Sequence, residues 1–114
     1  MDTVNENDWK LFRSRLPGWQ EAYMEKLIEE YIGILNGDEP ASHKFWRVEE
    51  RTRQDKREPG VIITEMSRSK MRLNLLRLLD HSVITLNDLE GFSEELREDL
   101  CHVAKIWASE SDTE

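Results

Sequence analysis

Apolar residues recur at every third or fourth position along most of the chain, the spacing that places them on one face of an α-helix. The pattern is longest over residues 19–35, where every fourth residue is large and apolar: Trp19, Tyr23, Leu27, Tyr31 and Leu35. Other apolar residues widen this face, and a broad apolar face is typical of a central helix that packs on several neighbours. Strict alternation, the mark of a β-strand, is not sustained anywhere.

Breaking residues set the expected helix boundaries. A short first helix should cover about 7–16 and end at a Pro-Gly pair, and a second should cover 19–35 and end at an Asn-Gly pair. A third helix should run over about 41–56. Its second half carries charged residues and no large apolar one, so we expect that half to be exposed.

The remaining chain predicts two longer helices and a short one. Residues 61–66 are either an extended connector or the first turn of the next helix, which is leucine-rich from Ser67 onwards. Thr85-Leu86-Asn87-Asp88 has the form of a capping box, and Ser93 should cap the last helix. The prediction is an all-α fold, a compact bundle of five to six helices, with a short extended segment near 61–64 as the open alternative.

The length of 114 residues suits one helical domain over 1–108, followed by an acidic, frayed tail over 109–114. The single cysteine, Cys101, cannot form an internal disulfide and fits a reducing compartment. No apolar run exceeds three residues, and the first residues are acidic and polar. We therefore expect no membrane-spanning segment and no secretion signal, and a cytoplasmic location.

Charge is unevenly distributed along this acidic chain, whose net charge is −8. Residues 43–77 carry ten Lys and Arg against five Asp and Glu, whereas both flanking segments are acidic. Two explanations are open. The basic middle is neutralised by the acidic ends within the fold, or it forms a face that binds an anionic partner.

Residue patterns for catalysis or metal binding were not found. His43, His81 and His102 fall in three different elements, without a second ligand at metal-motif spacing. Cys101 lies inside a predicted helix, where a lone cysteine is usually a small packing residue. The scattered glycines form no phosphate-binding loop. The sequence therefore predicts no catalytic residue, no metal, no cofactor and no enzyme activity.

A nucleic-acid-associated regulator is the alternative function. The segment of about 67–108 resembles a helix–turn–helix, and ten basic residues lie between Lys44 and Arg77, partly before and partly within it. Against this, the elements after the turn are acidic around Asp88 and Glu94, and acidic side chains would repel phosphates. We rank this alternative below protein recognition.

Protein recognition is the leading interpretation, and a homodimer is compatible with it. Phe45 and Trp46 are neighbours on the third helix, so both cannot point inwards, and exposed aromatic residues are common at interface hot spots. We predict a non-enzymatic interaction or regulatory protein that uses the helix at about 41–57 and nearby basic residues, without a membrane. The predicted partner-binding residues are Trp46, Arg47, Arg51, Arg53, Lys56, Arg57, Arg68, Lys70 and Arg72.

Four stretches together carry a resemblance: residues 16–24 (LPGWQEAYM), 44–46 (KFW), 55–61 (DKREPGV) and 83–93 (VITLNDLEGFS). Along most of its length the chain resembles a group of small uncharacterised helical proteins of Gram-positive bacteria. Some of that group carry the label "multidrug transporter", a function that needs spanning segments which this chain lacks. The resemblance implies a bacterial cytosolic setting and no catalytic residue.

Overall fold

The computed structural model describes residues 4–111, with side chains for residues 4–109. Over this range the chain forms four α-helices and two 3-10 turns, and no β-strand. The α-helices are α1 (Glu6–Leu35), α2 (Ala41–Asp55), α3 (Met71–Asp80) and α4 (Glu94–Ser111), and the turns are Arg68–Lys70 and Leu86–Leu89. The all-α prediction is confirmed, but the predicted five to six helices are not found, because the first two merge.

α1 continues through Pro17, where the sequence predicted a break. A proline inside a helix lacks the N–H for one backbone hydrogen bond. Tertiary packing on both sides of Pro17 offsets this loss, because Phe12 before it and Trp19 after it contact the same core. The Trp19 ring centroid lies 6.4 Å from those of both Phe12 and Phe92.

The hydrophobic core lies between the first half of α1 and the elements that follow residue 66. We call this part, residues 4–19 and 61–111, the body. Its buried apolar side chains are Trp9, Phe12, Leu16, Met71, Leu75, Leu76, Leu78, Ile84, Leu89, Phe92 and Leu100. The predicted leucine-rich and final helices therefore do form the core, but only half of the long helical segment before them does.

Two local predictions in the body are confirmed. The Asp88 carboxylate accepts a hydrogen bond from the Thr85 backbone N–H at 2.7 Å, which closes the predicted capping box. The Ser93 hydroxyl accepts one from the Leu96 N–H at 3.3 Å, so that Ser93 caps α4.

Residues 61–66 form neither a helix nor a strand, so the extended segment predicted near 61–64 is not found. The buried Asn74 side chain holds this connector, because its Nδ2 donates to the Glu65 carbonyl oxygen at 2.9 Å. At the other end of the body, α4 continues to Ser111. Residues 112–114 of the predicted acidic tail lie outside the described residues.

The second half of α1 and the antiparallel α2 project from the body as a helical hairpin. We call residues 20–58 the hairpin arm. The molecule measures 57 × 36 × 21 Å, and its radius of gyration is 17.0 Å, against about 13 Å for a compact chain of this length. The chain is a helical bundle, as predicted, but it is elongated, so the predicted compactness around the helix at 19–35 is wrong.

Within the described range, none of the helices has the length and apolar character needed to cross a membrane.

Candidate interaction surface

The base of the hairpin arm is held by close backbone packing. Pro59 and Gly60 are both buried, and Gln20 Nε2 donates a hydrogen bond to the Pro59 carbonyl oxygen at 3.1 Å. A Cβ atom on Gly60 would lie only 2.3 Å from the Tyr23 ring. Glycine is therefore required at this position for the chain to pass under Tyr23 as it enters the body.

Polar contacts between the two helices hold the arm together. Arg51 lies 2.6 Å from a Glu30 carboxylate oxygen, and its guanidinium stacks over the Tyr31 ring at 5.6 Å. The Tyr31 hydroxyl donates to Asp55 at 2.5 Å. Burial of the ring, together with this hydrogen bond, raises the pKa of Tyr31. The network explains how α2 stays attached to α1 although α2 buries no residue.

One side of the arm is apolar and exposed. Ile28, Ile32 and Leu35 of α1 are 53, 50 and 50% exposed, and Phe45 of α2 is 64% exposed. We call these four residues the apolar strip. Scattered apolar residues are normal on a protein surface, and several on one side of a helical pair make that side a candidate contact site.

Helical phase places the strip on a single side of the hairpin. Each residue turns a helix by roughly 100°, so Ile28 and Leu35 point about a quarter turn from the buried Leu27, and Ile32 points further round in the same direction. In α2, Val48 has nearly the same phase as Asp55, which bonds to Tyr31 of α1, and Phe45 lies about 60° from Val48. In an antiparallel pair this is the same side. The Arg51–Glu30 ion pair lies on the opposite side, where both residues are turned the other way.

The outward face of α2, directed away from α1, carries a different set of side chains. Trp46 is 63% exposed, and its ring lies edge-on to Phe45 with centroids 5.1 Å apart. Arg53 shares its phase, seven residues further on, and Arg57 follows just after the end of α2. Both aromatic residues of the pair are thus in solvent, whereas only one was expected at a rim.

Four of the nine predicted partner-binding residues already form close ion pairs, with nitrogen–oxygen distances of 2.5–2.6 Å. The pairs are Arg51–Glu30, Arg53–Glu49, Arg68–Glu6 and Arg72–Asp99. The last two join the basic middle of the chain to its acidic ends. A fifth residue, Lys70, lies 3.6 Å from Glu65.

The remaining four predicted residues are Trp46, Arg47, Lys56 and Arg57, all exposed and all within or beside α2. Among residues 4–109, no carboxylate oxygen lies within 4.0 Å of the charged groups of Arg47, Lys56 and Arg57. Their charges are therefore available to a partner, and those of the paired arginines are largely satisfied.

The ion pairs also perturb the carboxylates involved. The hydrogen bonds from Arg72 lower the pKa of Asp99, and those from Arg68 lower the pKa of Glu6. Arg53 lowers the pKa of Glu49 in the same way. All three carboxylates are therefore held in the charged form that keeps the neighbouring arginine engaged.

Two open grooves lie on the described surface. One of about 460 Å³ is lined by side chains of α4, including Cys101 and His102, and one of about 480 Å³ by side chains of α2 and the following Lys56. A groove along a single helix does not enclose a small substrate. In the described part of the chain, no three His, Cys, Asp or Glu side chains come together as metal ligands.

The arrangement around α4 differs from a helix–turn–helix. α3 and α4 are separated by residues 81–93, which contain a 3-10 turn, whereas a helix–turn–helix uses about three or four residues. Glu94 and Glu95 occupy the first turn of α4, and Arg68 and Arg72 beside it are paired. This geometry gives little support to the nucleic-acid alternative.

Sequence patterns did not predict the apolar strip as an exposed surface. Ile28, Ile32 and Leu35 were assigned to the core, because a periodic apolar face indicates that a helix packs against something. It does not indicate whether the packing partner belongs to the same chain. One signal points to exposure: α2, the next helix along the chain, has too few apolar residues to cover them.

Comparison of the chain with models of protein families finds no match, and comparisons with curated proteins and with solved structures find none either. Any function has therefore to be argued from the residues of the arm itself.

Proposed function

We propose that this chain is a non-enzymatic interaction protein that binds an acidic surface of another protein through the outward face of α2. The observation that carries the proposal is the exposed Trp46 on a projecting helix that buries none of its residues. Tryptophan offers a large, rigid contact area, and it is enriched among residues that dominate binding energies.

The surrounding charges support an acidic partner. Arg47 is the residue after Trp46, and Arg57 follows the end of α2. Among residues 4–109, neither has a carboxylate oxygen within 4.0 Å. Unpaired guanidinium groups bind carboxylates in a two-pronged geometry. An aromatic anchor with cations beside it is therefore suited to an acidic segment that also offers an apolar pocket.

A capture experiment tests this proposal. Tagged wild-type chain and a Trp46→Ala/Arg57→Glu variant are used to capture proteins from an extract of the source cells. The matched control is Lys105→Glu, a charge reversal at an exposed position of α4 in the body. We expect specific captured proteins to be lost with the double variant and retained with the control. Equal capture by all three chains would refute the proposal.

A further inference from the structure

We propose that the apolar strip of the hairpin arm binds the same strip of a second copy of this chain, so that two arms form a four-helix bundle. The inference is independent of the partner proposed above, because the strip and the outward face of α2 are different sides of the arm. It starts from Ile28, Ile32, Leu35 and Phe45, each at least half exposed.

The apolar strip of the folded arm needs a packing partner. α2 has no buried residue, and in the second half of α1 only Leu27 is buried. A helix of this length is marginal in water without tertiary packing. A partner that is always present satisfies this need, and a second copy of the chain is always present.

Charge complementarity also indicates a second copy. Residues 19–35 of α1 carry four Glu and one Lys, a balance of −3, whereas residues 41–57 carry six Lys and Arg and three acidic residues, a balance of +3. A two-fold axis parallel to the helices places each α1 against the other copy's α2, so that opposite charges face each other. A two-fold axis across the helices would instead place α1 against α1, with like charges opposed.

The first arrangement predicts one specific contact. Glu30 and Arg51 lie level across the hairpin, since they form an ion pair. Glu25 is five residues before Glu30 and Lys56 is five residues after Arg51, so these two are also level. Glu25 lies one turn before Ile28, and Lys56 has nearly the phase of Phe45, eleven residues before it. A two-fold axis parallel to the helices keeps every residue at the same position along the helix axis. It therefore brings Glu25 opposite Lys56 of the second copy.

The available area is sufficient for a specific but modest dimer. The arm's part of α1 is about 25 Å long and two helices are about 20 Å wide, which gives a footprint of about 500 Å² per copy. The total of about 1,000 Å² meets the lower limit for a specific interface. The dimer should therefore dissociate on dilution.

Sedimentation or light scattering of the purified chain over a wide concentration range tests the pairing. We expect wild type to change from monomer to dimer as its concentration rises. Ile32→Glu should weaken this by more than about a hundredfold, because in a two-fold pair the buried charge enters the interface twice. Leu73→Glu is the matched control, since Leu73 on α3 is also 50% exposed and lies outside the arm. It should dimerise like wild type.

A charge exchange tests the arrangement of the two copies. Glu25→Lys alone and Lys56→Glu alone should each dimerise more weakly than wild type, and an equimolar mixture of the two should recover a heterodimer in which both contacts are again opposite in sign. A second disruptive variant, Phe45→Ser, repeats the first test without adding charge.

Three results would overturn the proposal. The first is a wild type that stays monomeric at all concentrations, and the second is an Ile32→Glu variant that dimerises like Leu73→Glu. The third is a mixture that recovers no heterodimer. A monomeric wild type whose captured proteins are lost with Ile32→Glu would show that the strip binds a different protein. Trp46→Ala/Arg57→Glu should lose the captured proteins and still dimerise like wild type. The proposed partner and the proposed dimer can therefore fail separately.

Discussion

Asp8 is a buried carboxylate that joins the starts of α1 and α4. It accepts hydrogen bonds from the Ser93 backbone N–H at 2.7 Å and from the Ser93 hydroxyl at 2.6 Å. Its negative charge also lies at the positive end of the α4 dipole. The Asp8 carboxylate thus provides the hydrogen-bond acceptor for both donors of Ser93, the residue before α4. These bonds fix where α4 begins relative to α1.

Replacement of Asp8 by alanine should therefore destabilise the body. The Ser93 N–H would lose its partner, and an unsatisfied buried donor costs about 1–3 kcal/mol. Urea denaturation of Asp8→Ala measures the loss in the free energy of unfolding. Glu98→Ala, at an exposed position of α4, should change it little. A similar effect of both variants would argue against this role of Asp8.

Two glycines in or beside the arm should respond to alanine with opposite sign. In Gly60→Ala the new methyl group meets the Tyr23 ring at 2.3 Å, so we expect a lower melting temperature. Gly33 lies inside α1 with no atom within 4 Å of an added Cβ, and Gly33→Ala should raise stability by about 0.5–1 kcal/mol through helix propensity. Calorimetry of the two variants compares the shifts, and a Gly60→Ala variant that melts no lower than wild type would contradict the packing at Gly60.

At the scale of elements, the sequence correctly predicted the helix ends that depend on neighbouring residues. The ends of α2 follow from the prolines beside it, Pro40 and Pro59. The Thr85 to Asp88 capping box and the Ser93 cap follow from hydrogen bonds between residues three apart, whose residue types can be recognised in the sequence. The break at Pro17 was mispredicted for the opposite reason. Whether a helix survives a proline depends on the tertiary packing of its neighbours, here Trp19 on Phe92, which no local pattern contains.

The ion pair between α3 and α4 should make stability depend on pH. Hydrogen bonds from Arg72 lower the pKa of Asp99 in the folded state. A lowered pKa contributes stability above the unfolded value of about 3.9, and this contribution is lost as the pH falls through the folded value. Wild type should therefore be more stable than Asp99→Asn near neutral pH, and the difference should shrink below about pH 4.

Urea titrations of wild type and Asp99→Asn at several pH values measure this difference. Glu98→Gln is the control, because Glu98 makes no ion pair with a residue that the structure describes. Its difference from wild type should stay small throughout. A gap between wild type and Asp99→Asn that persists unchanged at acid pH would rule out the Arg72–Asp99 pair as its source. The pair is partly exposed, so added salt should weaken it.

At the scale of the whole molecule, the sequence located the core residues of the body correctly, but it did not locate the exposed apolar surface of the arm. Leu75, Leu78 and Leu100 are buried within their own chain, as their spacing indicated. Ile28 and Ile32 have the same spacing and lie in solvent. Periodicity reports that a face is apolar, and only three-dimensional arrangement distinguishes cover by the same chain from cover by another one.

The division of the molecule into a body with a buried core and an exposed hairpin arm predicts two levels of local stability. Hydrogen exchange can distinguish them. Backbone amides of α2 should exchange faster than those of α3, because α2 buries no side chain and α3 contributes Leu75 and Leu78 to the core. If a second copy covers the strip, protection in α2 should rise with protein concentration while that in α3 stays constant. Ile32→Glu should abolish the concentration dependence and leave α3 unchanged. Equal protection of both helices in dilute wild type would mean that the arm is stable by itself, and the need for a cover, on which the pairing of two arms rests, would disappear.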